Sequence, residues 1–99
     1  MNKPIQRRGK FYVYLVRCKY GAYYCGYTKD IDKRIKEHNG KGGAKYLKGK
    51  TPVTLMYCKE YKYYKNAINA EVRIKLMTRP LKEALIKKWD TLNFKKVNV

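Results

Sequence analysis

Residues 11–18 read Phe-Tyr-Val-Tyr-Leu-Val-Arg-Cys, a β-branched and aromatic run of strand length. Alternation puts Phe11, Val13 and Leu15 on one face and Tyr12, Tyr14, Val16 and Cys18 on the other. A strand that is apolar on both faces is expected to be covered on both sides. Lys19-Tyr20-Gly21 is a turn signal, and Ala22 to Tyr27 reads as a second short strand, so the two pair as a hairpin. That pairing brings Tyr14 and Tyr24 into the same neighbourhood.

A helix follows. Thr28 and Asp30 are both suited to cap its N-terminus, and Asn39-Gly40 stops it. Ile31 and Ile35 lie four apart and point to the core, while Arg34 and His38 form an adjacent stripe that can face the sheet edge. Residues 40–52 hold four glycines and four lysines and predict a mobile basic loop. Val53 to Glu60 predicts a third strand, with Val53, Leu55 and Tyr57 alternating against Thr54, Met56 and Cys58. A second helix is expected over Asn66 to Met77, packing through Ala67, Ala70, Ile74 and Met77 with Glu71 beside that face. Pro80 suits the first position of a third helix, whose apolar stripe reads Leu81, Ala84, Leu85 and Trp89. The fold class is therefore α+β, a small three-stranded, mainly antiparallel sheet flanked by about three helices. The expected layout is a basic arm over 1–9, one domain over 10–90 and a tail over 91–99.

Charge narrows the partner. The 99 residues carry 25 Lys+Arg against 7 Asp+Glu, a net +18. Self-repulsion at that density works against a compact state, and neutralising nucleic-acid phosphates is the natural use for it. The cations are spread over all elements rather than one amphipathic helix, which disfavours a membrane surface. No apolar stretch approaches the ~20 residues of a spanning helix, and the start lacks a signal-peptide core. Cys18, Cys25 and Cys58 are widely spaced, with one histidine in the chain, so a zinc module is disfavoured and reduced packing thiols of a cytoplasmic protein are expected.

Tyr12-Val13-Tyr14, Tyr24-Cys25-Gly26, the helical Arg34-Ile35-Lys36-Glu37-His38 and the helical carboxylate Glu71 occur in one order. In that order they resemble the GIY-YIG nuclease domain, over about residues 10 to 90. His38-Asn39-Gly40, Gly43-Ala44-Lys45-Tyr46 and Thr51-Pro52-Val53 add a likeness to the small stand-alone bacterial and archaeal members. The chain also looks like the catalytic domain of structure-specific endonucleases that cut branched DNA, without the zinc-binding domain those usually add. The glycine of the family's first motif is Tyr12 here.

The resemblance implies an endonuclease that hydrolyses DNA phosphodiesters, at branched or flapped structures, using one divalent metal, Mg²⁺ or Mn²⁺. Glu71 would hold the metal and Arg34 would clamp non-bridging oxygens. Tyr24 would orient or deprotonate the attacking water with Tyr14 beside it, and His38 would share the proton traffic. Lys41, Lys45, Lys48, Lys50 and Lys75 are the expected phosphate contacts.

Each residue also has a plainer role. The tyrosines, of which there are eleven, suit strands; His38 suits a helix C-terminus; Glu71 suits a salt bridge to Lys75. A DNA- or RNA-binding module with little catalysis, and an RNA nuclease, are the alternative functions.

Overall fold

A computed structural model describes residues 8–40 and 47–97, with side chains through Asp90. Strands β1 (Arg8–Arg17), β2 (Tyr23–Thr28) and β3 (Thr54–Tyr63) form one antiparallel sheet in the order β2-β1-β3. The doubly apolar strand is the central one. Helix α1 (Ile31–Asn39) covers one face of it, and α2 (Tyr64–Lys75) and α3 (Arg79–Val97) lie on the other.

Two cores result, one per face of β1. Phe11, Val13 and Leu15 pack with Cys25, Tyr57, Ala67, Ala70, Ile74 and Ile86. Tyr14 and Val16 pack with Cys18, Leu47 and Val53, and Ile31 and Ile35 of α1 close over them. Both expected caps act at the start of α1. The Asp30 carboxylate accepts from Lys33 N at 3.1 Å, and Asp30 N donates to the Thr28 hydroxyl at 3.1 Å. An Asp cap of this kind is worth about 1 kcal/mol. Gly21 turns the β1–β2 hairpin at φ +94°, a conformation that favours glycine.

Several expectations need correction. Arg8 and Gly9, expected in the basic arm, belong to β1, where Arg8 pairs with Tyr63. The strict alternation expected of the third strand breaks. Leu15 pairs with Tyr57 but Val16 with Leu55, so Met56 is an extra residue in β3. A bulge of this kind shifts the following side chains to the other face. Tyr57 therefore lies in the first core and Leu55 against the second. β3 also runs on to Tyr63, three residues past its expected end.

Helix α3 is rotated from its expected stripe. Leu85 and Trp89 of that stripe pack against the core as expected, but Leu81 and Ala84 are exposed and Ile86 is buried in their place. The helix continues past Asp90 to Val97. The basic loop was expected to be mobile, yet its described end is tied down. Leu47 is buried, Lys50 N donates to Leu47 O at 2.9 Å, and Lys19 N donates to Lys50 O at 2.8 Å. Residues 41–46, with Lys41 and Lys45, lie outside the described residues.

Candidate active site

Tyr14 sits at the middle of β1 on the α1 face, directly opposite Gly26 in the register. A Cβ at position 26 would collide with the Tyr14 phenol oxygen and lie 2.6 Å from Cζ. Glycine at 26 is thus what lets the Tyr14 ring lie across β2. Tyr24 is two residues earlier on β2, so it shares that face, and its ring centroid is 6.5 Å from that of Tyr14. From the last turn of α1, His38 closes the triangle. Its ring is 5.8 Å from Tyr14 and 5.5 Å, edge-on, from Tyr24. The Tyr14 hydroxyl and His38 Nε2 are 2.7 Å apart. One turn earlier on α1, Arg34 reaches the Tyr14 oxygen and pairs with Glu37 at 3.2 Å.

The electrostatics assign the protons. Burial pushes the Tyr14 phenol up to about 12, with the Arg34 guanidinium pulling the other way. Burial also lowers His38, and the Arg34 charge adds to that while Glu37 opposes it. Tyr14 is therefore a protonated phenol and His38 a neutral imidazole near pH 7, and the tautomer of the imidazole sets which of the two donates in the bond between them. The helix C-cap is Gly40, whose N–H bonds to Glu37 O, and His38 stands in the last turn before it. Burial opposes the Arg34 charge, and its hydrogen bonds to Tyr14 and Glu37 outweigh that.

Glu71 arrives from the other side of the sheet. It lies on α2, whose Ala67, Ala70 and Ile74 face the first core, and its carbonyl accepts from Cys25 Sγ at 3.8 Å. Cys25 directly follows Tyr24 on β2, so Glu71 and Tyr24 flank the same edge strand from opposite faces. The Glu71 carboxylate is mostly buried and pairs with the exposed Lys75 at 3.3 Å. The thiol of Cys25 is pushed up to about 11, by burial first and by Glu71 second, so it stays protonated. Among the described residues no group of three His, Cys, Asp or Glu side chains is placed to hold a metal ion. One carboxylate fits Mg²⁺ or Mn²⁺, which keep several waters and take substrate phosphate, and does not fit a structural zinc ion. Of the expected phosphate contacts, Lys48 and Lys75 are exposed and Lys50 is half-buried.

Three features escaped the sequence. Asn39 clamps the residue just before β3 through both ends of its amide. Val53 N donates to Oδ1 at 2.7 Å and Nδ2 donates to Val53 O at 3.2 Å. Glu37 is the carboxylate partner of Arg34, and its three-residue spacing was the available signal. Arg79 stacks over the Tyr23 ring at 4.7 Å and donates to Gly21 O at 3.1 Å, tying α3 to the hairpin. That pairing spans 58 residues from Arg79 to Gly21, and no local pattern announces it.

A central antiparallel strand carrying Tyr14, an edge strand carrying Tyr24 and Gly26, and helices carrying Arg34, His38 and Glu71 define a nuclease-family domain. The GIY-YIG catalytic domain profile matches residues 10–89, and the chain belongs to that family. Within it, the chain is similar to small UPF0213 proteins. One from Halobacterium salinarum is 46% identical over 75% of this chain and 96% of its own length. The UPF0213 protein YazA of Bacillus subtilis is 41% identical over 76% of each. The solution structure of a UPF0213 protein from Bacillus halodurans is 38% identical, covers 79% of this chain and 83% of its own, and superposes with a TM-score of 0.53. Among the described residues no helix is long and apolar enough to cross a membrane.

Proposed function

We propose that this chain is a metal-dependent endonuclease that hydrolyses phosphodiester bonds in DNA at branched or flapped structures, working in the cytoplasm. The observation that carries it is the buried Tyr14–His38 hydrogen bond beside Tyr24 and Arg34. A packing aromatic needs no neutral imidazole and no guanidinium at its oxygen; a site that moves a proton next to a phosphate needs both.

The roles follow from exposure and charge. Arg34 binds the non-bridging phosphoryl oxygens, exchanging its Glu37 partner for them. Tyr24 is the half-buried member of the ring cluster, the one solvent reaches, so it orients the attacking water. The Tyr14–His38 hydrogen bond is the path for a proton leaving the site, and burial keeps the imidazole uncharged until it takes one. Glu71 holds the divalent ion, which supplies Lewis acidity toward the phosphoryl oxygens. Lys41, Lys45, Lys48, Lys50 and Lys75 contact the backbone phosphates.

A second reading has its own support: Arg34 is paired with Glu37 and Glu71 with Lys75. Occupied charges of this kind suit a binding module for DNA or RNA. A cleavage assay with Mg²⁺ or Mn²⁺ on single-stranded, duplex, flap and junction substrates, in DNA and RNA, separates the two. Metal-dependent cutting of flap or junction DNA that Glu71→Gln abolishes, with affinity retained, is the expected result. Binding without cleavage of any substrate overturns the nuclease reading, and preferential cutting of RNA overturns the DNA assignment.

A further inference from the structure

Strand β3 is the sheet edge remote from β2, and α3 packs against it. Between them lies an open groove of about 350 Å³, lined by Tyr57, Cys58, Lys59, Leu85, Lys88 and Trp89. That is the low end of the size range of small-molecule sites, roughly 300–1,000 Å³. Its walls are apolar and aromatic, and its rim carries two exposed cations, Lys59 and Lys88. Trp89, the one tryptophan of the chain, is half-buried in the wall.

The rim continues along β3. Lys59 Nζ lies 5.2 Å from the Tyr61 ring centroid, and Lys62 and Arg8 each lie 5.9 Å from that of Tyr63. Glu60, the acid within this run, bonds to Tyr12, its register partner on β1. No acidic residue lines the groove among the described residues. An aromatic slot under a cationic rim is complementary to a flat, π-faced group attached to a negative charge. A nucleotide is such a group, and its base can enter a slot only when it is not paired and stacked inside a duplex.

We propose that the β3–α3 groove binds an unpaired nucleotide of a single-stranded nucleic acid, with the base against Trp89 and the phosphates on Lys59 and Lys88. This rests on the nucleic-acid reading above and extends it, because the groove opens between β3 and α3, across the sheet from the Tyr14–His38 cluster. A strand that leaves the cluster and ends in the groove would give the protein its preference for a substrate with an unpaired arm.

Trp89 supplies the readout. The full chain, in chelator so that nothing is cut, is titrated with oligothymidylate, a blunt duplex of equal length, thymidine monophosphate and inorganic phosphate. Tryptophan is excited at the red edge, where the tyrosines do not absorb. Saturable quenching by oligothymidylate, weaker quenching by the mononucleotide, and none by duplex or phosphate is expected. A K59A/K88A variant should lose roughly fivefold or more in affinity for the single strand, the size of one stacked base or its contacts. Trp89→Leu should do the same when binding is followed by anisotropy of a labelled strand, and Trp89→Phe should restore it. No quenching, equal quenching by duplex, or an unaltered K59A/K88A variant overturns the proposal. So does a fluorescence change with protein concentration alone that tracks dimerisation in sedimentation, since a second copy then fills the groove. Parallel cleavage assays with Mg²⁺ keep the two proposals apart. Cutting without a tryptophan response overturns the groove alone, and a response without cutting overturns the nuclease alone.

Discussion

The Tyr14 hydroxyl lies 2.7 Å from His38 Nε2, and both side chains are almost wholly withdrawn from solvent. A strand and a helix separated by the hairpin turn meet at this bond, so it is at once a fold contact and the centre of the candidate site. Removing the hydroxyl should therefore be costly twice. Tyr14→Phe takes one partner from a buried imidazole, a loss of about 1–3 kcal/mol. Urea unfolding would show it, and a midpoint equal to the parent would mean that the bond contributes nothing.

His38 also sets a pH dependence. Its folded pKa is lowered below the ordinary 6.5, by burial first. The unfolded chain thus binds a proton more readily than the folded one, so stability rises with pH. The contribution is full above about 6.5 and is lost as the pH falls from there through the folded value. His38→Gln should flatten this acid limb in unfolding midpoints measured across that window. An unchanged limb would assign it to other groups.

Gly26→Ala places a methyl into the Tyr14 ring, 2.6 Å from Cζ. Because Tyr14 is packed on all sides, it has nowhere to retreat, and overpacking of this kind costs about 1–3 kcal/mol. Thermal melts should show the loss, and it should persist in a Tyr14→Phe background, where Cζ remains. Full relief in that background would show that only the hydroxyl is crowded.

Asn39→Ala removes both hydrogen bonds to the Val53 backbone. Each is worth about 0.5–1.5 kcal/mol. Hydrogen exchange should speed up at Val53 and at its neighbours in the second core. Protection equal to the parent would sink the clamp.

Arg34 and Glu37 can be tested as a pair. Glu37→Gln frees the guanidinium and should tighten DNA binding, and Arg34→Ala should lower single-turnover cleavage much more than affinity. If Glu37→Gln weakens binding, Glu37 holds Arg34 in place for phosphate rather than competing with it.

Much of this was legible in the sequence. Tyr14, Tyr24, Arg34 and His38 were expected together, and the structure brings them together around one hydrogen bond. Glu71 was expected on a helix beside its apolar face, and its partner Lys75 followed from the four-residue spacing. The motif glycine at 26 was legible as a letter. Its reason, the ring lying across it, was not.

By itself the sequence determined the central strand, both ends of α1 and the order of the chemistry along the chain. Each depends on periodicity and capping within a few residues, and short-range sterics and hydrogen bonds set those. Tertiary structure decided which way the later elements face. The extra residue Met56 shows only once β3 is laid against β1, and the rotation of α3 toward Ile86 only once that helix meets the sheet. It also decided that Glu71 meets β2 at Cys25, on the face opposite Tyr24. Register and face are settled by partners far away in the chain, and a local pattern carries no record of them.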